Sequence, residues 1–190
     1  MVSDAKARMI EGAARLLAEK GLQETSFSEV VALTGAPRGS IYHHFPDGKA
    51  SLVAQALELQ GAKSNALIES ARGKPAVDVA STFIGGWRSL LIVSQFRIGC
   101  SAVAVTVAAD SDDLLQRAGD VFRGWAELLA ELLTLGGVDP AAAPAAATLL
   151  IAGSEGGVIL SRAQASIEPF DSVAEQLLGH VRALSEGTAT

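Results

Sequence analysis

Cysteine is nearly absent: one residue, Cys100, in a chain of 190. A single thiol excludes an internal disulfide and any thiol-rich metal site. The three histidines, at 43, 44 and 180, have no metal-ligating spacing. No glycine-rich phosphate loop and no nucleophile–base pattern is present. The sequence therefore carries no expectation of a metal, a cofactor or an enzyme. Aromatic residues amount to 5%, and alternating β-branched or aromatic runs are scarce, which argues against strands. Long apolar runs are missing too. The longest uncharged stretch, Pro140–Ser154, has 15 residues and two prolines, against the roughly 20 of a membrane-spanning helix. No secretory signal pattern is visible. A cytoplasmic protein with no membrane partner is expected.

Apolar residues make up 49% of the chain, and the mean hydropathy is +0.32. This excess suits a packed core, a ligand cavity and a subunit interface. Apolar residues recur at helical spacing nearly throughout, so the fold expected is all-α with about nine helices. Their expected spans are about 4–20, 27–35, 37–44, 48–72, 76–94, 98–108, 111–135, 141–165 and 169–185. Gly21, Gly35, Gly73-Lys74-Pro75 and Gly136-Gly137 mark breaks. The net charge is −6, and all of it lies beyond residue 52, because residues 1–52 balance. Nucleic-acid affinity would have to come from a locally basic face.

Residues 25–52, TSFSEVVALTGAPRGSIYHHFPDGKASL, carry the most information. Ser26 and Glu29 form an S-x-x-E capping box that starts a helix near Phe27, with Val30, Val31 and Leu33 as its apolar face. Gly35 ends it, and Pro37 suits the first turn of the next helix. In that helix Ile41 and Phe45 face inward. Arg38, Gly39, Ser40, Tyr42, His43 and His44 are left on the outside. Asp47 is placed to cap the following helix. Lys49 then falls in a first turn, where the dipole disfavours a cation, and a phosphate would offset that cost. A short helix presenting these donors can enter a DNA major groove.

The series Gly21, Thr25, Gly35, Gly39, Ile41, Tyr42, His44, Phe45, Lys49 and Leu52 resembles the DNA-binding domain of TetR/AcrR-family regulators over residues 4–58. The wording GAPRGS and FPDGK, with Gly99-Cys100 later, is most similar to the multidrug-type, LmrA-like subgroup. Pro37 departs from the capping Ser or Thr of many relatives. The resemblance implies a helix-turn-helix domain at 1–52 and a ligand-binding and dimerisation domain at 53–190. It places Tyr42 and His44 on phosphates, and Arg38, Ser40 and His43 nearer the bases. Gly39 would allow close approach, and Thr25 and Ser26 would lie where the first helix of the pair crosses the DNA backbone.

In such a fold Phe83, Trp87, Cys100, Val103, Phe122, Trp125, Ile151 and Glu155 lie on helices enclosing an effector cavity. Ordinary core packing explains the same spacing. Glu155 interrupts an apolar helix and requires a partner: Arg88, Arg97, another subunit or a ligand. Gly153, Gly156, Gly157, Leu160, Phe170, Val173, Leu177 and Val181 fall on the two helices that would form a four-helix dimer interface; close packing within one subunit is the alternative for the glycines. The function implied is a homodimeric repressor released from a palindromic double-stranded operator by a small apolar effector. The rival readings are a helical carrier or enzyme for a small molecule, and an activator of the same family.

Overall fold

Local signals decide where the helices begin and end. In the computed structural model, which describes residues 2–187, Gly21, Gly35 and Gly137 all take the left-handed conformation, at φ 86°, 66° and 108°. Each follows a helix that glycine is suited to stop. Among the described residues there are nine helices and no strand. They are α1 (Val2–Lys20), α2 (Phe27–Thr34), α3 (Arg38–His44), α4 (Lys49–Glu69), α5 (Ala76–Val93), α6 (Ser101–Thr106), α7 (Asp112–Leu135), α8 (Ala143–Gln164) and α9 (Glu168–Glu186). Pro37 sits one residue outside α3, in extended conformation at φ −61° and ψ 131°. Gly48, at φ 86°, rather than Asp47, immediately precedes α4.

The helices gather into two compact units, neither of which follows the expected division at residue 52. The first holds the residues up to Ala62 together with Cys100–Val121. The second holds Lys63–Gly99 together with the chain from Phe122 onward. The first unit thus takes more of α4 than the resemblance implies, and adds α6 and the start of α7.

In the first unit, Met9, Ala13 and Leu17 of α1 are buried, as are Val30, Ile41, Phe45, Leu52 and Leu57 of the elements that follow. Gly12 lets α2 come close: a β-carbon there would lie 2.6 Å from the Thr34 methyl. In the second unit, α8 lies along α9, and α5 packs against both. Helices α5 and α8 are long and apolar enough to cross a membrane by length and composition. Here α5 buries Val79, Phe83, Ile84 and Leu91, and α8 buries Leu150, Ile151 and Val158.

Candidate nucleic-acid interface

Helix α2 starts where the Ser26 hydroxyl accepts a hydrogen bond from the Glu29 amide at 3.2 Å. That satisfies one of the amide donors left open at a helix start. The return half of the capping box does not form. The Ser26 amide donates to the Glu24 carbonyl at 3.2 Å, and the Glu29 carboxylate takes the Lys20 ammonium at 3.1 Å. Of the expected apolar face of α2, Val30 is fully buried, while Leu33 is 44% exposed.

Helix α3 is fastened from beneath by Ile41 and Phe45, each 1% exposed. Arg38, Gly39, Tyr42 and His43 are exposed, and Ser40 and His44 half-buried. Tyr42 is 66% exposed. His43 and His44 occupy the last turn, where the helix dipole favours positive charge. The space around Gly39 is open; a β-carbon there would touch nothing within 4 Å. A depression of about 510 Å³ separates α2 from α3, with Phe27, Val31 and Ile41 on its apolar walls and Arg38 and Tyr42 among its lining residues. Phe27, absent from the sequence-based set, is the residue on which the Tyr42 ring rests.

Two expected contact residues have a different place. Thr25 is 1% exposed, and its hydroxyl donates to the Gly21 carbonyl at 2.8 Å. It holds the α1–α2 turn and presents no hydroxyl to a phosphate. Lys49 donates to the Leu22 carbonyl at 2.6 Å. That contact offsets its unfavourable place in the first turn of α4, so no phosphate is required to explain it. The ammonium has three donors, so a phosphate can still share it.

The first unit also has an acidic side. Asp47, Glu58 and Asp113 line a cleft of about 400 Å³ with Arg117. Arg117 donates to Asp113 at 2.9 Å and Glu58 at 3.2 Å, which ties α7 to α4. Those carboxylates repel a phosphate backbone.

Comparison with known proteins agrees with this geometry. Residues 9–56 match the pattern of bacterial regulatory proteins of the tetR family, and residues 76–176 match the LmrA/YxaF-like C-terminal domain of transcriptional regulators. The chain is 35% identical over 177 residues to an uncharacterized HTH-type transcriptional regulator of Mycobacterium tuberculosis, covering 90% of each. The chain belongs to the TetR family. It is also 26% identical to the HTH-type transcriptional regulator LmrA of Bacillus subtilis, covering 83% of this chain and 86% of LmrA. In fold it is similar to the regulatory protein TetR from Rhodobacter sphaeroides, with a TM-score of 0.83 at 22% identity over 93% of this chain and 98% of that one. The protein is thus a DNA-binding helix-turn-helix transcriptional regulator.

In this TetR-family chain the residues expected at an effector cavity divide between the units. Cys100 and Val103 belong to the first; Phe83, Trp87, Phe122, Trp125, Ile151 and Glu155 belong to the second. Trp125, 2% exposed, is the hub of an aromatic cluster. Phe122, Trp87 and Phe83 stand edge-on to it with centroids at 5.5, 6.2 and 6.4 Å. The Trp125 Nε1, Asn65 Oδ1 and Ser154 Oγ are buried without a hydrogen-bond partner among the described residues. Sequence reading did not mark Asn65 or Ser154, because polarity alone does not reveal burial. Glu155 is buried at 8% exposure. Arg88, one of its expected partners, is paired instead with Asp171 through two hydrogen bonds of 2.8 and 3.0 Å. Cys100 is buried and outside any disulfide.

Five of the eight expected dimer residues pack against their own chain. Phe170, Leu177 and Val181 are buried within this one chain. Gly153 and Gly157 pack against α9 of the same chain: β-carbons there would meet Leu177 and Phe170, each at 3.0 Å. These five residues pack within the chain, Gly153 half-buried and the others buried, because small residues on α8 let α9 seat closely. Gly156 has open space, Leu160 is 48% exposed, and Val173 is half-buried. His180 is exposed.

Proposed function

We propose that the protein is a homodimeric repressor, released from a palindromic operator by a small, mostly apolar effector. The observation that carries this reading is the pairing of two features in one chain. One is an exposed, donor-bearing helix on a rigid core. The other is an aromatic cluster around Trp125, whose buried Nε1 has no hydrogen-bond partner among the described residues. The first suits a major groove. The second suits an apolar molecule bearing a few polar atoms. Arg38, Ser40 and His43 read bases, and Tyr42, His44 and Lys49 hold phosphates. Effector and operator favour different states of the dimer, so each weakens the other equally. The protein acts in the cytoplasm and performs no catalysis.

The second copy covers the outer stripe of α8. Leu149, Ile159 and Leu160 are 44%, 54% and 48% exposed there, with Ala152 and Gly156 between them. Apolar residues exposed in a row call for a partner.

Selection from a random DNA pool at two salt concentrations tests the reading. Recovery of one palindrome, with steep loss of binding at higher salt, is the expected result. Sequence-independent binding alone would defeat it. Turnover of a bound molecule by pure protein would favour an enzyme instead, and the operator's position relative to the promoter separates repressor from activator.

A further inference from the structure

Between α5 and α6 the chain makes a turn that no glycine eases. Gln95 and Phe96 both adopt left-handed backbone, at φ 53° and 61°. Residues with side chains avoid this conformation, and successive ones are rarer still. The turn closes α5 in the manner of a glycine cap: the Gln95 amide donates to the Ile92 carbonyl at 3.1 Å and the Phe96 amide to the Leu91 carbonyl at 2.8 Å. Glycine normally occupies the position held by Gln95. The Ser94 hydroxyl, buried, accepts from the Ile98 amide at 3.3 Å.

A side chain from a different helix holds the turn. Arg162, in the last turn of α8, donates through Nε to the Phe96 carbonyl at 3.3 Å and through Nη2 to the Arg97 carbonyl at 3.0 Å. Gly99 makes room for it. A β-carbon at 99 would overlap the Arg162 guanidinium. The strain, the clamp and the glycine converge on one short segment. At its end, between Gly99 and Cys100, the chain leaves the second unit and enters the first. The next element, α6, packs on α1, which supports α2 and α3.

We infer that residues 94–99 form a strained latch, that Arg162 holds it closed, and that the closed latch is the DNA-binding state of the repressor. Strain at such a joint gives it a second, relaxed conformation that costs little to reach. Losing two charge-assisted bonds to Arg162 is enough to tip it. Arg162 is thus a positioning residue, acting through the direction in which the chain enters α6. The inference rests on the repressor reading above.

The test uses the full-length protein and the operator recovered from random DNA. Arg162→Met removes the clamp. Gly99→Ala displaces the end of a flexible side chain and leaves the core alone. Each is expected to weaken operator binding at least tenfold, with unchanged helix content and a melting temperature within a few degrees of wild type. The double variant should be no weaker than either single, since both open one latch. Gln95→Gly relieves strain in the closed turn; it should raise the melting temperature and restore binding to Gly99→Ala. Amides 95–98 should exchange faster in Arg162→Met without DNA present. Unchanged exchange, wild-type operator affinity in both single variants, additive losses, or binding lost only in step with folding would each overturn the latch. A wild-type protein that selects no operator while its Arg162→Met variant still exchanges faster at 95–98 would sink the repressor reading and leave the latch standing as a structural device.

Discussion

Tyr42 leans edge-on against Phe27, with ring centroids 5.4 Å apart and planes at 79°. Phe27 in turn lies 6.4 Å from the core ring of Phe45. An exposed side chain of α3 is thereby aimed by a residue of α2. An aromatic pair of this kind contributes about 0.5–1.5 kcal/mol, or roughly twofold to tenfold in affinity. Phe27→Leu should weaken operator binding by that factor without altering base preference. In a Tyr42→Ala background the same substitution should do nothing more. Additive losses would show that the two rings act separately.

Gly39 is a weak point in a short helix, since glycine costs about 1 kcal/mol against alanine there. Nothing in the protein needs the space. Gly39→Ala should therefore raise thermal stability and yet weaken operator binding several-fold, because the methyl group meets DNA. Denaturant melts and binding isotherms on one preparation decide it. A more stable variant with undiminished affinity would place Gly39 away from the DNA surface.

Thr25 and Lys49 separate folding from binding. Thr25→Val leaves the Gly21 carbonyl without its hydroxyl donor and should cost about 1 kcal/mol of stability, with base preference unchanged. Lys49→Ala should destabilise through the Leu22 carbonyl. If Lys49 also neutralises a phosphate, the slope of log affinity against log salt should fall by about 0.9 as well. Measured salt slopes distinguish the two roles of Lys49, because the Leu22 bond leaves the slope untouched.

What was legible in the sequence was local. The Ser26 cap, the Gly35 stop and the Ile41–Phe45 inner face all follow from residues at most four positions apart. The reading helix could be drawn from them. Contacts between distant residues could not. Lys49 finds Leu22 across 27 positions, and Arg162 finds Phe96 across 66. Glycines on α8 announced a close approach, but small size does not say which helix approaches, and α9 of the same chain takes that place at Gly153 and Gly157. The turn at Gln95 and Phe96 was invisible because its residues lack the glycine that signals left-handed backbone.

Asp171 on α9 offers a pH test of the second unit. Hydrogen bonding to Arg88, reinforced by its charge, holds the Asp171 carboxyl below the usual carboxylate range. A carboxyl with a lowered pKa in the folded state stabilises above its unfolded pKa, near 3.9. That contribution is lost as pH falls through the lower folded value. Asp171→Asn should therefore be less stable than wild type at pH 7. The two should converge as pH drops below about 4. Both side chains are about half exposed, so salt should shrink the difference. A gap that persists unchanged at pH 2 would assign the effect to packing.

The outer and inner faces of α8 and α9 make opposite predictions. Leu160 is 48% exposed, whereas Phe170 and Leu177 are 1% and 6% exposed. A carboxylate at position 160 costs an isolated chain little, but at a two-fold interface it is buried twice and faces its own copy. Leu160→Glu should convert dimer to monomer in sedimentation while leaving helix content intact. Phe170→Ala opens a cavity beside Gly157 and should cost roughly 3–5 kcal/mol of stability in each chain. If both variants are placed in Arg162→Met protein, the Leu160 effect on assembly should persist, because the outer stripe of α8 is separate from the latch. A Leu160→Glu protein that sediments as a dimer would move the interface off this stripe.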